Sequence, residues 1–358
     1  MAVLEMIFAV FALIGALDRI TGNHLKLGEE FEKGILACGS LAVAMVGMIC
    51  IAPTLAQVLT PVLEPVCSFT HIDMSFIGSF IANDMGGASI SQVLATDDVI
   101  GGYNGLVVAS MMGCTICFTV PIALKTIDAK YHKEVLNGIL CGIATMPVGC
   151  IVSGLMLGIS FGKLMLNLIP VLLVAMITCI GLVVKPDLCR KIFGIIGKIV
   201  IIIITIGLAA GIFEYITDIT LIPYMTPVED GFATVAGIAI ILSGVFPFIA
   251  FVSKIFKKPF MKIGNKINID ENSVLGLVSS LANSIPTFDL AEKMNAKGRM
   301  MNMAFTVSAS FVFGDHLAFT MAFDKAYLPA MITGKLVGGI AALVIANFMY
   351  KKTEKAVK

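Results

Sequence analysis

Two acidic side chains stand inside stretches that are otherwise apolar. Asp84 lies within FIGSFIANDMGGASISQVLA (76–95), and Asp315 lies in the run Gly314-Asp315-His316. A carboxylate placed at membrane depth costs about 2.5–3.5 kcal/mol on insertion scales, so it demands a partner or a wet cavity. Asp84 is suited to receive a cation, helped by the carbonyls that end the arm before it. It is equally suited to cap the start of the next arm, and the two roles are compatible. Asp315 fits the role of counter-ion, with His316 as hydrogen-bond partner or proton carrier; the alternative is a buried pair fixed by internal hydrogen bonds. Asn83 and Asn283 occupy matching places in two interrupted stretches, fit to bind a polar ligand or to satisfy unwound backbone. Ser284 with Pro286 reads chiefly as a helix start, Ser capping and Pro in the first turn. Thr115, with Ser110, Ser308 and Ser310, suits a hydroxylated ligand, although helix packing is the better reading for any one of them. Phe288 and Phe311 offer cation–π faces, against which lipid contact is the plainer explanation.

The elements that must carry these residues are membrane helices. Of 358 residues 58% are hydrophobic and 14% charged, where soluble domains run nearer 45–50% and about 25%. The mean hydropathy is +0.97. Lys and Arg number 25 against 24 Asp and Glu, which argues against a nucleic-acid binder. Trp is absent, and the nine Cys all lie at or before Cys189, mostly in apolar stretches where a thiol packs as a small hydrophobe. That reading extends to the Cys114/Cys117 pair, with no metal or redox role. The sequence holds no Walker loop, dinucleotide fingerprint, zinc-protease motif or nucleophile elbow, and its loops are too short for a nucleotide domain. No cofactor is expected.

Nine stretches are apolar over roughly the length a span requires: 2–20, 33–60, 101–124, 134–158, 163–184, 192–216, 231–256, 300–323 and 327–349. Two more, 73–96 and 272–294, have short apolar arms around a polar centre. Arms of about nine residues reach about 14 Å, half a bilayer. If both are re-entrant, one side of the membrane collects every Lys and Arg except Lys163, Lys325 and Lys335. Full crossings would split the basic residues almost evenly, so the positive-inside rule favours re-entrant hairpins. The N-terminus is then outside and the C-terminus cytoplasmic.

The chain also repeats itself. Gly15, Asp18 and Thr21 are answered by Gly211, Glu214 and Thr217; Gly34 by Gly231; Gly47 by Gly244; IAND (81–84) by LANS (281–284); and Gly113 by Gly314. An odd number of crossings separates the copies, which inverts the second. The expected fold is therefore an all-α polytopic membrane protein with inverted repeats, about nine transmembrane helices and two re-entrant hairpins, a recurring transporter plan. Repeat 1 covers 1–158, a connecting helix and loop 159–190, repeat 2 residues 191–350, and a basic tail 351–358.

At IANDMGG (81–87), SMMG (110–113), LANSIPTF (281–288) and FGDHLAF (313–319), the chain resembles the ethanolamine permease family EutH over nearly its whole length. That resemblance implies ethanolamine uptake across the bacterial cytoplasmic membrane, feeding an ammonia-lyase and its microcompartment. The residues agree chemically: an ammonium needs anionic or carbonyl acceptors, as at Asp84 and Asp315, and a hydroxyl needs a polar partner, as at Asn83, Asn283 or a nearby Ser or Thr. The remaining expected partners are membrane lipids and, by analogy with paired-hairpin transporters, a second copy in a homodimer. Proton and sodium stand as equal candidates for a coupling ion. Two other functions compete: an ion-coupled carrier for another small amine or organic ion, and a membrane-embedded enzyme acting on an amino-alcohol lipid through Asp315 and His316.

Overall fold

The computed structural model describes residues 2–81 and 87–357, and among these every regular element is helical. Asn83 and Asp84 lie outside the described residues. Helix α1 (Ala2–Ile20) leads to α2 (Gly28–Thr70), and the turn between them is organised by Asp18, whose carboxylate accepts from the N–H groups of Leu25, Leu27 and Gly28 at 2.8–3.0 Å. At 1.5 Å per residue α2 is about 64 Å long, twice the hydrocarbon thickness. Two short pieces follow, α3 (Gly78–Ile81) and α4 (Gly87–Leu94). Next, α5 (Asp98–Gly102) continues as π-helix over Tyr103–Gly113 and Thr115–Thr119 into α6 (Val120–Thr126). Helices α7 (His132–Met156), α8 (Phe161–Val184) and α9 (Pro186–Thr217) are long and apolar. The second half holds α10 (Val228–Lys266), α11 (Glu271–Ala282), α12 (Ile285–Leu290), α13 (Ala296–Ala309), α14 (Asp315–Asp324) and α15 (Leu328–Val357).

Among the described residues, seven helical stretches are long and apolar enough to cross a membrane: 28–70, 98–126, 129–156, 161–184, 186–217, 228–255 and 315–352. Two of the nine expected spans fall outside that set. Helix α1 carries Glu5, Asp18 and Arg19 in 19 residues. The stretch 300–323, expected as one continuous helix, is broken: α13 ends at Ala309 and α14 starts at Asp315, with irregular backbone between.

The long helices pack with a two-fold pattern. Helix α2 meets α9 at Gly47, where an added Cβ would stand 1.8 Å from the Ile204 carbonyl oxygen. Helix α10 meets α1 at Gly244, where the corresponding distance to the Phe8 carbonyl oxygen is 2.2 Å. Gly47 and Gly244 are landmarks of the sequence repeat, and each lets two backbones close to contact.

Each interrupted segment is tied at its base by one aspartate. Asp73 accepts from Ser75 N–H (2.9 Å) on one strand of chain and from Thr96 N–H (3.0 Å), Thr96 Oγ1 (2.6 Å) and Asp97 N–H (3.1 Å) on the other. Asp270 accepts from Ser273 N–H (2.9 Å) and from the N–H of Asn295. The chain thus returns to where it left in both places. The helices that follow add a second matched tie: Asn104 donates to Ser75 Oγ at 2.8 Å, and Asn302 donates to the Ser273 carbonyl at 2.9 Å. The π-helix Tyr103–Gly113 and residues 297–309 of α13 are wholly buried, and together they form the centre of the molecule.

Candidate functional site

Helix α11 stops at Asn283, whose backbone is extended (φ −155°, ψ 135°). A helix end leaves carbonyls without intrahelical partners. Here the second break supplies donors. Phe311 N–H donates to the Ser280 carbonyl at 2.9 Å and Phe313 N–H to the Leu281 carbonyl at 2.8 Å. Phe311 takes a left-handed conformation (φ 61°) to do so. The breaks at 283–284 and 310–314 are therefore one junction, joined through backbone.

Four expected residues meet there. Asn283 Oδ1 accepts from Ile285 N–H at 2.9 Å, so Asn283 caps α12. The expected cap, Ser284, makes no cap bond; it is fully buried and its Oγ has no partner. Asp315 opens α14, half-buried, and His316 follows at 1% exposure with Nδ1 unpartnered. Thr115 stands one turn before Phe118 on the π-helix. Its Oγ1 is committed to the Met111 carbonyl (2.7 Å) and the Val307 carbonyl (3.2 Å), tying the π-helix to α13, which is a packing role.

Aromatic rings line the junction. His316 packs on Phe311 (centroids 5.1 Å apart), Phe311 on Phe118 (5.4 Å), and Phe118 on Phe288 (6.4 Å). Phe288 and Phe311 are 1% and 3% exposed, so neither is explained by lipid contact. The arrangement joins a carboxylate, ring faces and unsatisfied polar atoms of Ser284 and His316. Those are the acceptors and surfaces that a small ammonium compound bearing one further polar group needs.

Two cavities open along these helices, and one of them reaches the junction. One of about 380 Å³ is bordered by Glu30, Ser253, Phe260, Ser279, Asn283 and Pro286 and reaches the α11–α12 break. Another of about 260 Å³ is bordered by Gln92, Asp98, Asp324 and Tyr327, with Ala88 and Gly105 along its wall. It follows α4 and the π-helix.

A family model described as "Ethanolamine utilisation protein, EutH" matches residues 2–349. The chain belongs to the EutH family. Its EutH-family relatives include the probable ethanolamine permease EutH of Listeria monocytogenes serotype 1/2a (strain 10403S), 42% identical over 350 residues, which span 98% of this chain and 94% of that one. The uncharacterized protein YxeR of Bacillus subtilis (strain 168) is 40% identical over 344 residues, covering 96% and 93%. The probable ethanolamine permease EutH of Salmonella typhimurium (strain LT2) is 36% identical, covering 99% and 96%. No solved structure matches the chain.

Sequence reasoning missed one residue of this EutH-family chain that bears on the site. Lys335, one of the three basic residues left above on the minority side, is fully buried within α15 and donates to the Ser110 carbonyl at 2.6 Å. The signal was present: a single charge within the apolar run Leu328–Tyr350.

Proposed function

We propose that this protein carries ethanolamine across the bacterial cytoplasmic membrane, with the substrate's ammonium received beside Asp315 at the junction of the two broken helices. The observation that carries the site is the backbone pairing of 311–313 with the end of α11. It places the unpartnered Ser284 Oγ and His316 Nδ1 at the junction where Asp315 opens α14. Membership of the EutH family supports the substrate, as do relatives described as probable ethanolamine permeases. A permease family also favours transport over the competing enzyme reading.

In this reading the chain crosses nine times, counting α1 and the broken α13–α14 pair with the remaining long stretches. Segments 73–96 and 272–294 are re-entrant. The single-aspartate ties at Asp73 and Asp270 support that, because both ends of each segment lie together. Repeats 1–158 and 191–350 are inverted about the joining segment 159–190, which the paired Gly47 and Gly244 contacts support. The N-terminus faces outward, and the tail 351–358 is cytoplasmic. The ligand-binding role expected of Asn83 and Asp84 belongs to this reading; both lie outside the described residues. Two copies associate as a dimer.

Purified protein in sealed liposomes should take up labelled ethanolamine saturably, and the same protein in detergent should leave ethanolamine chemically unchanged. Uptake no faster than in protein-free liposomes would refute the proposal; product formed in detergent would favour an enzyme.

A further inference from the structure

Lys335 is unusual among the described cations. It is 0% exposed, lies about two turns into α15, and its one hydrogen bond is to a backbone carbonyl, that of Ser110. No described carboxylate pairs with it. The groups facing it come from each packed element: Cys114 beside the π-helix, Cys150 on α7 with the Tyr103 hydroxyl bonded to the Cys150 carbonyl at 2.9 Å, and His316 at the start of α14. Helix α13 brings Ser308, whose buried Oγ is unpartnered and would stand 2.9 Å from a Cβ on Gly338, one turn past Lys335. At that level of α15, Gly338 and Gly339 pack on Ser308 and Ala309, the last residues of α13 before the break that leads to Asp315 and His316.

A primary ammonium held on a carbonyl close to a site for a primary ammonium sets up a competition. Two like charges held close together inside the membrane repel far more strongly than they would in bulk water. Lysine, unlike arginine, can resolve this by releasing a proton while keeping its place in the packing. We propose that Lys335 is the proton-exchanging residue of transport. As ethanolammonium binds, Lys335 Nζ passes one proton to water on the entry side and remains as a neutral amine. After the substrate leaves on the far side, Nζ regains one proton there. One cation moves each way, and the cycle carries no net charge. The inference rests on the transport reading and selects the proton over sodium as coupling ion.

The test uses full-length protein in liposomes containing a trapped pH dye, with the potential clamped at zero and protein-free liposomes subtracted. Adding ethanolamine outside wild-type liposomes should alkalinise the interior by about one proton per ethanolamine taken up. Lys335→Met should abolish that protein-dependent alkalinisation while retaining exchange of labelled ethanolamine across a balanced gradient. Its net uptake should become sensitive to an imposed potential, to which wild type is indifferent. Should Lys335→Met fail to fold, Lys335→Arg keeps a permanent charge and should likewise lose alkalinisation. Wild-type alkalinisation in either variant, or potential-driven uptake by wild type without proton release, would overturn the assignment. Absence of exchange in wild type would instead refute the transport reading.

Discussion

A Cβ on Gly314 would stand 2.0 Å from the carbonyl oxygen of Ala282, so the two broken segments touch backbone to backbone. Neither side of that contact is a flexible side chain able to give way. Gly314→Ala should therefore cost about 3 kcal/mol or more, at the upper end for overpacking. A lowered melting midpoint in detergent, accompanied by loss of ethanolamine counterflow, is the expected result.

The base of each interrupted segment should be a stability determinant. Asp73 receives four hydrogen bonds on one carboxylate, and Asp270 joins Ser273 to Asn295. Bonds to a charged acceptor are worth about 1.5–3 kcal/mol each, and part of the lost capacity is recovered by water. Asp73→Ala and Asp270→Ala should each destabilise by about 2–4 kcal/mol. Asp289→Asn, at an exposed position of α12, should stay within about 0.5 kcal/mol of wild type. Thermal unfolding of the three variants side by side checks this.

If an ammonium is received at the junction, the ring beside His316 contributes to its affinity. Cation–π contacts are worth about 0.5–2 kcal/mol. Phe311→Leu should raise the ethanolamine concentration for half-maximal uptake by roughly 2- to 30-fold, with little change in maximal rate. Concentration-dependent uptake in liposomes measures both.

Asp97 sets a mild acid sensitivity. The hydrogen bond from Lys163, then that from Ile100 N–H, hold its carboxyl below the ordinary value of 3.8. A depressed carboxylate stabilises the fold in full above its ordinary value and loses that contribution as pH falls through the lowered one. Both side chains are more than a third exposed, so the pair is worth no more than about 1 kcal/mol. Lys163→Met should lower the melting midpoint slightly at neutral pH, by an amount that shrinks as pH falls below 3.8 through the lowered value.

Much of this architecture was legible in the sequence because polar landmarks in an apolar chain are few. Gly47 and Gly244 stand at a constant offset from their neighbours, and both prove to be helix-contact points. The polar centre at Asn283 marked a real interruption, since Pro286 lacks an N–H and Asn283 readily leaves the helix. The break at 310–314 was not legible. Ser-Phe-Val-Phe holds no Pro or Gly before Gly314, and the partners that pay for its open backbone, Ser280 and Leu281, lie 31 and 32 residues earlier than the N–H groups they accept from. For the same reason the cap of α12 was read at Ser284, where Asn283 makes the bond: either side chain suits a helix start, and only the extended backbone at Asn283 decides. The π-helix at 103–113 was hidden because a uniformly buried run has no periodicity to read. Lys335 was passed over because charge counting gives every lysine a side of the membrane, even one inside an expected span.

The central claim is that ethanolamine passes the junction beside Asp315, and counterflow of labelled ethanolamine by Asp315→Asn in liposomes tests it most directly. The substitution keeps the shape and removes the charge. The account predicts a loss of at least about tenfold in counterflow, equivalent to about 1.4 kcal/mol, with an unchanged melting midpoint. Counterflow at the wild-type rate would contradict it.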